Sequence, residues 1–248
     1  MSSSPFTSCR TRCPERAIFA ALQEIALKWA VPFFFAASGY LHGRSRRAET
    51  GEWLRQRMVR LGIPYAFWTT LRLVDLSPIT PWTLLKQYAL AIPPSTLWFL
   101  WTLALATVLA WALLRAGVRP VTLAIGALVL ALAQAGLTEW LPASGALAAA
   151  LRANPTLALQ SPLTWLWVYA GGIVIARLGT NRERMPDWAP WALLGAVALV
   201  PIGRYTLLGA AGVNWRGYHF TWGLHGLWQG VFGLAVLLVA ERLPVRSA

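Results

Sequence analysis

LWFLWTLALATVLAWALL, residues 97–114, contains no charged side chain. A helix in a water-soluble core keeps a polar stripe on its solvent side, and this stretch has none of any width. Its 18 residues, at 1.5 Å each, extend about 27 Å, close to the ~30 Å hydrocarbon layer of a bilayer. Working outward, the same pattern repeats. Residues 120–138, 153–176, 188–203 and 217–240 are also free of Asp, Glu, Lys and Arg.

Composition agrees. The chain of 248 residues is 57% hydrophobic and 12% charged, roughly half the charge of a soluble domain. The expected fold is therefore all-α, a polytopic membrane protein built as a bundle of about seven transmembrane helices. The spans are expected at 25–42, 61–77, 97–114, 121–138, 162–178, 189–207 and 219–240. Arg72 and Asp75 fall inside the second of these, three residues apart and on one helix face, where they partly neutralise each other. Residues 1–24 form a basic N-terminal segment expected to be poorly ordered, and residues 25–242 form the transmembrane domain. No repeat or low-complexity linker divides them.

The formal net charge of +13 would suit nucleic acid, but the charges lie between the apolar spans. Anionic lipid and membrane orientation account for them, and no nucleic-acid partner is expected. Arg44, Arg46, Arg47, Arg55, Arg57 and Arg60 crowd the first connection; Arg115, Arg119, Arg177, Arg182, Arg184, Arg242 and Arg246 follow in every second one. The alternate connections hold only Arg72, Lys86, Arg152, Arg204 and Arg216. The richer side is expected to be cytoplasmic. That places the C-terminus inside a bacterial inner membrane and the N-terminus outside, although residues 1–28 carry four basic groups. Tryptophans near the span ends, Trp53 and Trp98 among them, suit the interfacial belt.

Cys9 and Cys13 have no second Cys pair or His beside them, so no metal site is expected. SxxK, GxSxG, HExxH and P-loop patterns are also missing, which leaves hydrolase, zinc-protease and ATPase readings without support.

Chemistry concentrates between residues 29 and 65. PFFFAASGYL (32–41) places small residues, Ser38 and Gly39, after an aromatic run; a neighbouring helix or a ligand can approach the backbone closely there. LRQRMVRLGIPYAFW (54–68) then supplies Arg57 and Arg60, one helical turn apart, a spacing at which two guanidinium groups grip a phosphate. Positive-inside topology alone would also explain them.

These segments, with STLWFLWTL at 95–103, resemble the integral membrane acyltransferase family 3, whose members O-acylate surface glycans and related acceptors. The residues carrying the likeness are Phe34, Phe35, Ser38 and Gly39; Arg57, Arg60, Pro64 and Tyr65; and Leu97, Trp98, Phe99 and Leu100. The likeness is specific over residues 29–101 and generic afterwards. It implies an acyl group, acetyl in the first instance, taken from cytoplasmic acyl-CoA and passed to a hydroxyl of a glycan or similar acceptor. Arg57 and Arg60 would bind the donor, and acyl-CoA would be a co-substrate with no tightly bound cofactor.

Family members begin with a helix bearing a basic residue and, about ten residues on, a His that serves as base. Residues 1–28 hold no His and no apolar span, and seven spans stand against about ten. The chain accordingly resembles the middle of a longer acyltransferase, without the first helix and the closing ones. His42, His219 and His225 remain as candidates for the base. A transporter or lipid-handling protein is the alternative, with helix breaks expected at Gly171–Gly172 and at Pro201 and Gly203.

Overall fold

The computed structural model describes residues 30–48, 50–74, 80, 81, 84, 98–140, 161–178, 186–210 and 222–243, and among these the chain forms helices and no strand. Seven are long: α1 (Ala30–Arg44), α2 (Gly51–Val74), α3 (Trp98–Arg115), α4 (Pro120–Trp140), α5 (Pro162–Leu178), α6 (Ala189–Ala210) and α7 (Trp222–Arg242). Each falls on one expected span. The segment 1–24 and Asp75 lie outside the described residues.

The second span requires a correction. Its helix starts at Gly51, ten residues before the expected boundary, so Arg55, Arg57 and Arg60 sit on a helix rather than in a connection. Thr50 is the reason. Its hydroxyl accepts the backbone N–H of Trp53 at 3.2 Å, satisfying a donor that a helix start otherwise leaves open. Glu52 adds a carboxylate to the first turn, where the helix dipole favours it. Arg55 and Gln56 each donate to that carboxylate at 3.0 Å and hold it below its usual pKa.

Elsewhere the punctuation is equally local. Gly117, at φ 87°, closes α3. Its N–H bonds Leu114 and that of Val118 bonds Leu113, both at 3.0 Å, which caps the last carbonyls before Pro120 opens α4. Pro201 lies inside α6 without ending it. A proline has no N–H for the carbonyl four residues back, and the Trp228 indole of α7 donates to that Val197 oxygen at 2.8 Å.

The bundle is arranged around α5, which packs against α1, α3, α4 and α7. From Thr164 to Ala170 every residue of α5 is buried. Its closest neighbour is α1, because small residues face one another. A Cβ on Gly39 would stand 1.9 Å from the Tyr169 carbonyl oxygen, and one on Gly172 would stand 2.1 Å from that of Ala36. The small residues expected to admit a helix or a ligand admit a helix. At the far end of α5, Gln134 of α4 accepts from Ser161 at 2.9 Å and donates to Thr164 at 3.2 Å.

Large apolar side chains also cover the outside. Leu41, Ile63, Phe67, Ile125, Val129, Leu199 and Val200 are each more than half exposed. One described helix, Trp98–Arg115, is long and apolar enough by itself to cross a bilayer; Pro120–Gly136, Pro162–Leu178 and Ala189–Gly203 are apolar but shorter. The breaks expected for a transporter are not found: α5 runs through Gly171–Gly172 and α6 through Pro201 and Gly203.

The arginine-bearing ends of the helices gather at one end of the bundle. Arg44 of α1 donates to Tyr40, and Tyr40 donates to Glu241 near the end of α7, each at 2.9 Å. Arg242 of α7 pairs with Asp187, just before α6.

Candidate functional site

α1 delivers His42 to this basic end, 2% exposed. Its Nδ1 lies 2.9 Å from the Tyr169 hydroxyl of α5. The α1–α5 contact makes the pair possible: with no side chain at Gly39 or Gly172, the two backbones approach closely and the His42 and Tyr169 side chains meet one turn further along. Trp53 of α2 covers the other side of the imidazole, ring centroids 4.4 Å apart. Trp53, expected as an interfacial anchor, is half-buried against a candidate base.

Two guanidinium groups complete the cluster. Arg57 and Arg177 both lie within Coulombic reach of His42, and Arg57 within reach of Tyr169. Arg57 sits on the inward stripe of α2 formed with Trp53, Leu54, Met58 and Leu61. Its Nε is buried and has no hydrogen-bond partner. A buried donor left open is costly, so this atom invites an acceptor oxygen. Arg60 differs: it is exposed on the same helix, so the expected pair is split between an inward and an outward position.

The hydroxyl of Thr107 on α3 lies alongside Tyr169 and donates to the Leu103 carbonyl at 2.7 Å. With its own proton so committed, Thr107 offers an acceptor to Tyr169. Tyr169 can then accept from His42 Nδ1–H, which leaves the His42 Nε2 lone pair available. The pairing Nδ1–H···O is the usual way a protein selects the tautomer of a basic imidazole.

The other motif residues do not join this cluster. Phe35, fully buried, stacks on Trp165 at 5.4 Å, and Trp98 tilts against the same indole at 6.3 Å. Phe34 stacks on Phe99 at 6.2 Å, and Tyr65 on Trp101 at 6.1 Å. These contacts tie α1, α2 and α3 to one another and to α5. Ser38 is buried within the α1 core stripe, and Pro64 is exposed within α2. His219 lies outside the described residues; His225 falls on α7, with only its backbone described.

Sequence reasoning missed Tyr169, Thr107 and Arg177 as members of the site. A tyrosine or threonine in an apolar span carries no local signal, and Arg177 looked like every other basic helix end. Among the described residues no group of three or more His, Cys, Asp or Glu converges to hold a metal.

The sequence model of a family described as an acyltransferase domain, acyltransferase family 3, matches residues 13–244. The likeness therefore extends well past the segment 29–101 and runs through α7. No curated protein and no solved structure matches the chain.

Proposed function

The chain belongs to acyltransferase family 3, and from that premise we propose that it is a multi-pass inner-membrane O-acyltransferase with its basic end and C-terminus in the cytoplasm. Its donor is acyl-CoA, with acetyl as the group moved, and its acceptor is a hydroxyl of a glycan or similar molecule. Apolar side chains exposed on α1, α2, α3, α4 and α6 support a lipid surround. The observation that carries the site is the open Nε donor of Arg57 beside the His42–Tyr169 pair.

In this reading His42 Nε2 takes the proton of the acceptor hydroxyl as its oxygen attacks the thioester carbonyl. The carbon–sulfur bond breaks, the new ester forms, and the imidazolium returns the proton to the departing CoA thiolate. Arg57 holds an oxygen of the donor at the buried end of the site, and Arg60, exposed one turn away, meets a CoA phosphate. Among the described residues, α5 and α6 run unbroken through the positions where the transport reading expects breaks.

The test uses the purified full chain in detergent with labelled acetyl-CoA. The donor binds, and Arg57→Ala with Arg60→Ala weakens binding on the order of tenfold or more, the size expected for charged hydrogen bonds. Unchanged binding refutes the donor site. CoA release measured against a panel of hydroxyl acceptors then tests the transfer itself.

A further inference from the structure

On the face of α5 turned away from α1 lies a second feature, an open groove of about 320 Å³ whose lining side chains are all apolar. Val121 of α4, Val174 and Ile175 of α5, Leu193 of α6 and Leu238 of α7 line it. Each stands near the end of its helix that belongs to the basic end of the bundle: the start of α4 and α6, the close of α5 and α7. The groove is therefore apolar along its length and opens toward a cationic rim.

That rim is specific. Arg119 lies two residues before Val121, and Arg177 two residues after Ile175; both are exposed. Neither is ion-paired among the described residues, whereas Arg242 beside them is held by Asp187. Trp188 and Trp191, 68% and 51% exposed, stand just before α6 and in its first turn, at the level where amphipathic rings meet headgroups. An apolar slot whose basic end carries two arginines unpaired among the described residues, with two exposed indoles near the same end of the bundle, matches one class of molecule.

We propose that this groove is a binding site for an anionic glycerophospholipid of the inner leaflet, with an acyl chain in the slot and the phosphate on Arg119 and Arg177. It rests on the membrane reading given above. The acyl chain of the donor is a poorer occupant, because α5 separates the two sites: Tyr169 and Gly172 face α1, while Gly171, Val174 and Ile175 face the groove. Arg177, between these faces, borders both.

The experiment reconstitutes the full chain in bilayers of dioleoylphosphatidylcholine doped with dioleoylphosphatidylglycerol, then reads retained lipid by native mass spectrometry. One phosphatidylglycerol stays bound in preference to phosphatidylcholine. Ile125→Trp fills the groove from an exposed position (59%) and removes it. Ile63→Trp, exposed on α2, leaves it in place. Arg119→Gln with Arg177→Gln lowers phosphatidylglycerol retention roughly fivefold per arginine and spares phosphatidylcholine.

Equal retention of both lipids, or retention undiminished in Ile125→Trp, overturns the assignment. So does a dimer mass that disappears with Ile125→Trp, which would name a second copy as the occupant. Carbonate extraction separates the two levels. A chain released from membranes overturns the membrane reading as well, and an integral chain that retains no phosphatidylglycerol overturns the groove alone.

Discussion

His42 is where the proposed chemistry stands or falls. His42→Ala should lower acyl transfer on the order of a hundredfold or more, the contribution of a positioned base, while labelled acetyl-CoA still binds. Weaker donor binding with an unchanged turnover rate would remove His42 from the base role. Tyr169→Phe keeps the packing and deletes the hydroxyl 2.9 Å from Nδ1; a stability loss of about 1 kcal/mol should accompany a slower transfer rate. Loss of stability with full activity would make the pair structural only. Histidine and the arginines were legible as candidates because their residue types carry chemistry. Tyr169 was not, since its partner lies 127 residues away and only the α1–α5 contact brings them together.

At the scale of single elements, glycine positions separate helix contacts from open faces. Gly39→Ala places a methyl against the immovable Tyr169 backbone and should destabilise the fold by roughly 1–3 kcal/mol. Gly126→Ala on α4 meets nothing within 4 Å and should be neutral or gain about 0.5–1 kcal/mol from helix propensity. Thermal melting in one detergent compares the two, and equal effects would refute the close α1–α5 approach. Trp228→Phe leaves the Val197 carbonyl of α6 unpaired at the Pro201 gap and should cost about 1–3 kcal/mol. Five of the seven helices were readable as uncharged windows, because a helix with an apolar surround needs no polar stripe. The early start of α2 was not, because its first turns are polar and its signal is the Thr50 cap. Pro201 looked like a break in the sequence because the indole that repairs it belongs to another helix.

For the molecule as a whole, orientation is the property most directly testable. A fluorescent protein fused after Ala248 should fold and fluoresce, as it does on the cytoplasmic side, and an alkaline phosphatase fused there should be inactive. The reverse pattern would invert the bundle and move the arginine cluster to the side opposite the proposed acyl-CoA donor. Sidedness is an expectation drawn from the spacing of arginines between apolar windows, and the two fusions decide it. The convergence of arginines on His42 was not legible, since charge counting cannot tell Arg57, turned inward, from Arg60, turned out.

The central place of α5 also bears on how the chain is made. α1 is synthesised early, yet its main packing partner emerges only after a long stretch of chain. At ~5–20 residues per second, the 127 residues between His42 and Tyr169 impose a delay of roughly 6–25 s. During that interval the glycine-lined face of α1 has no α5 to pack against. Formation of the α1–α5 contact is thus a late event, triggered when α5 arrives.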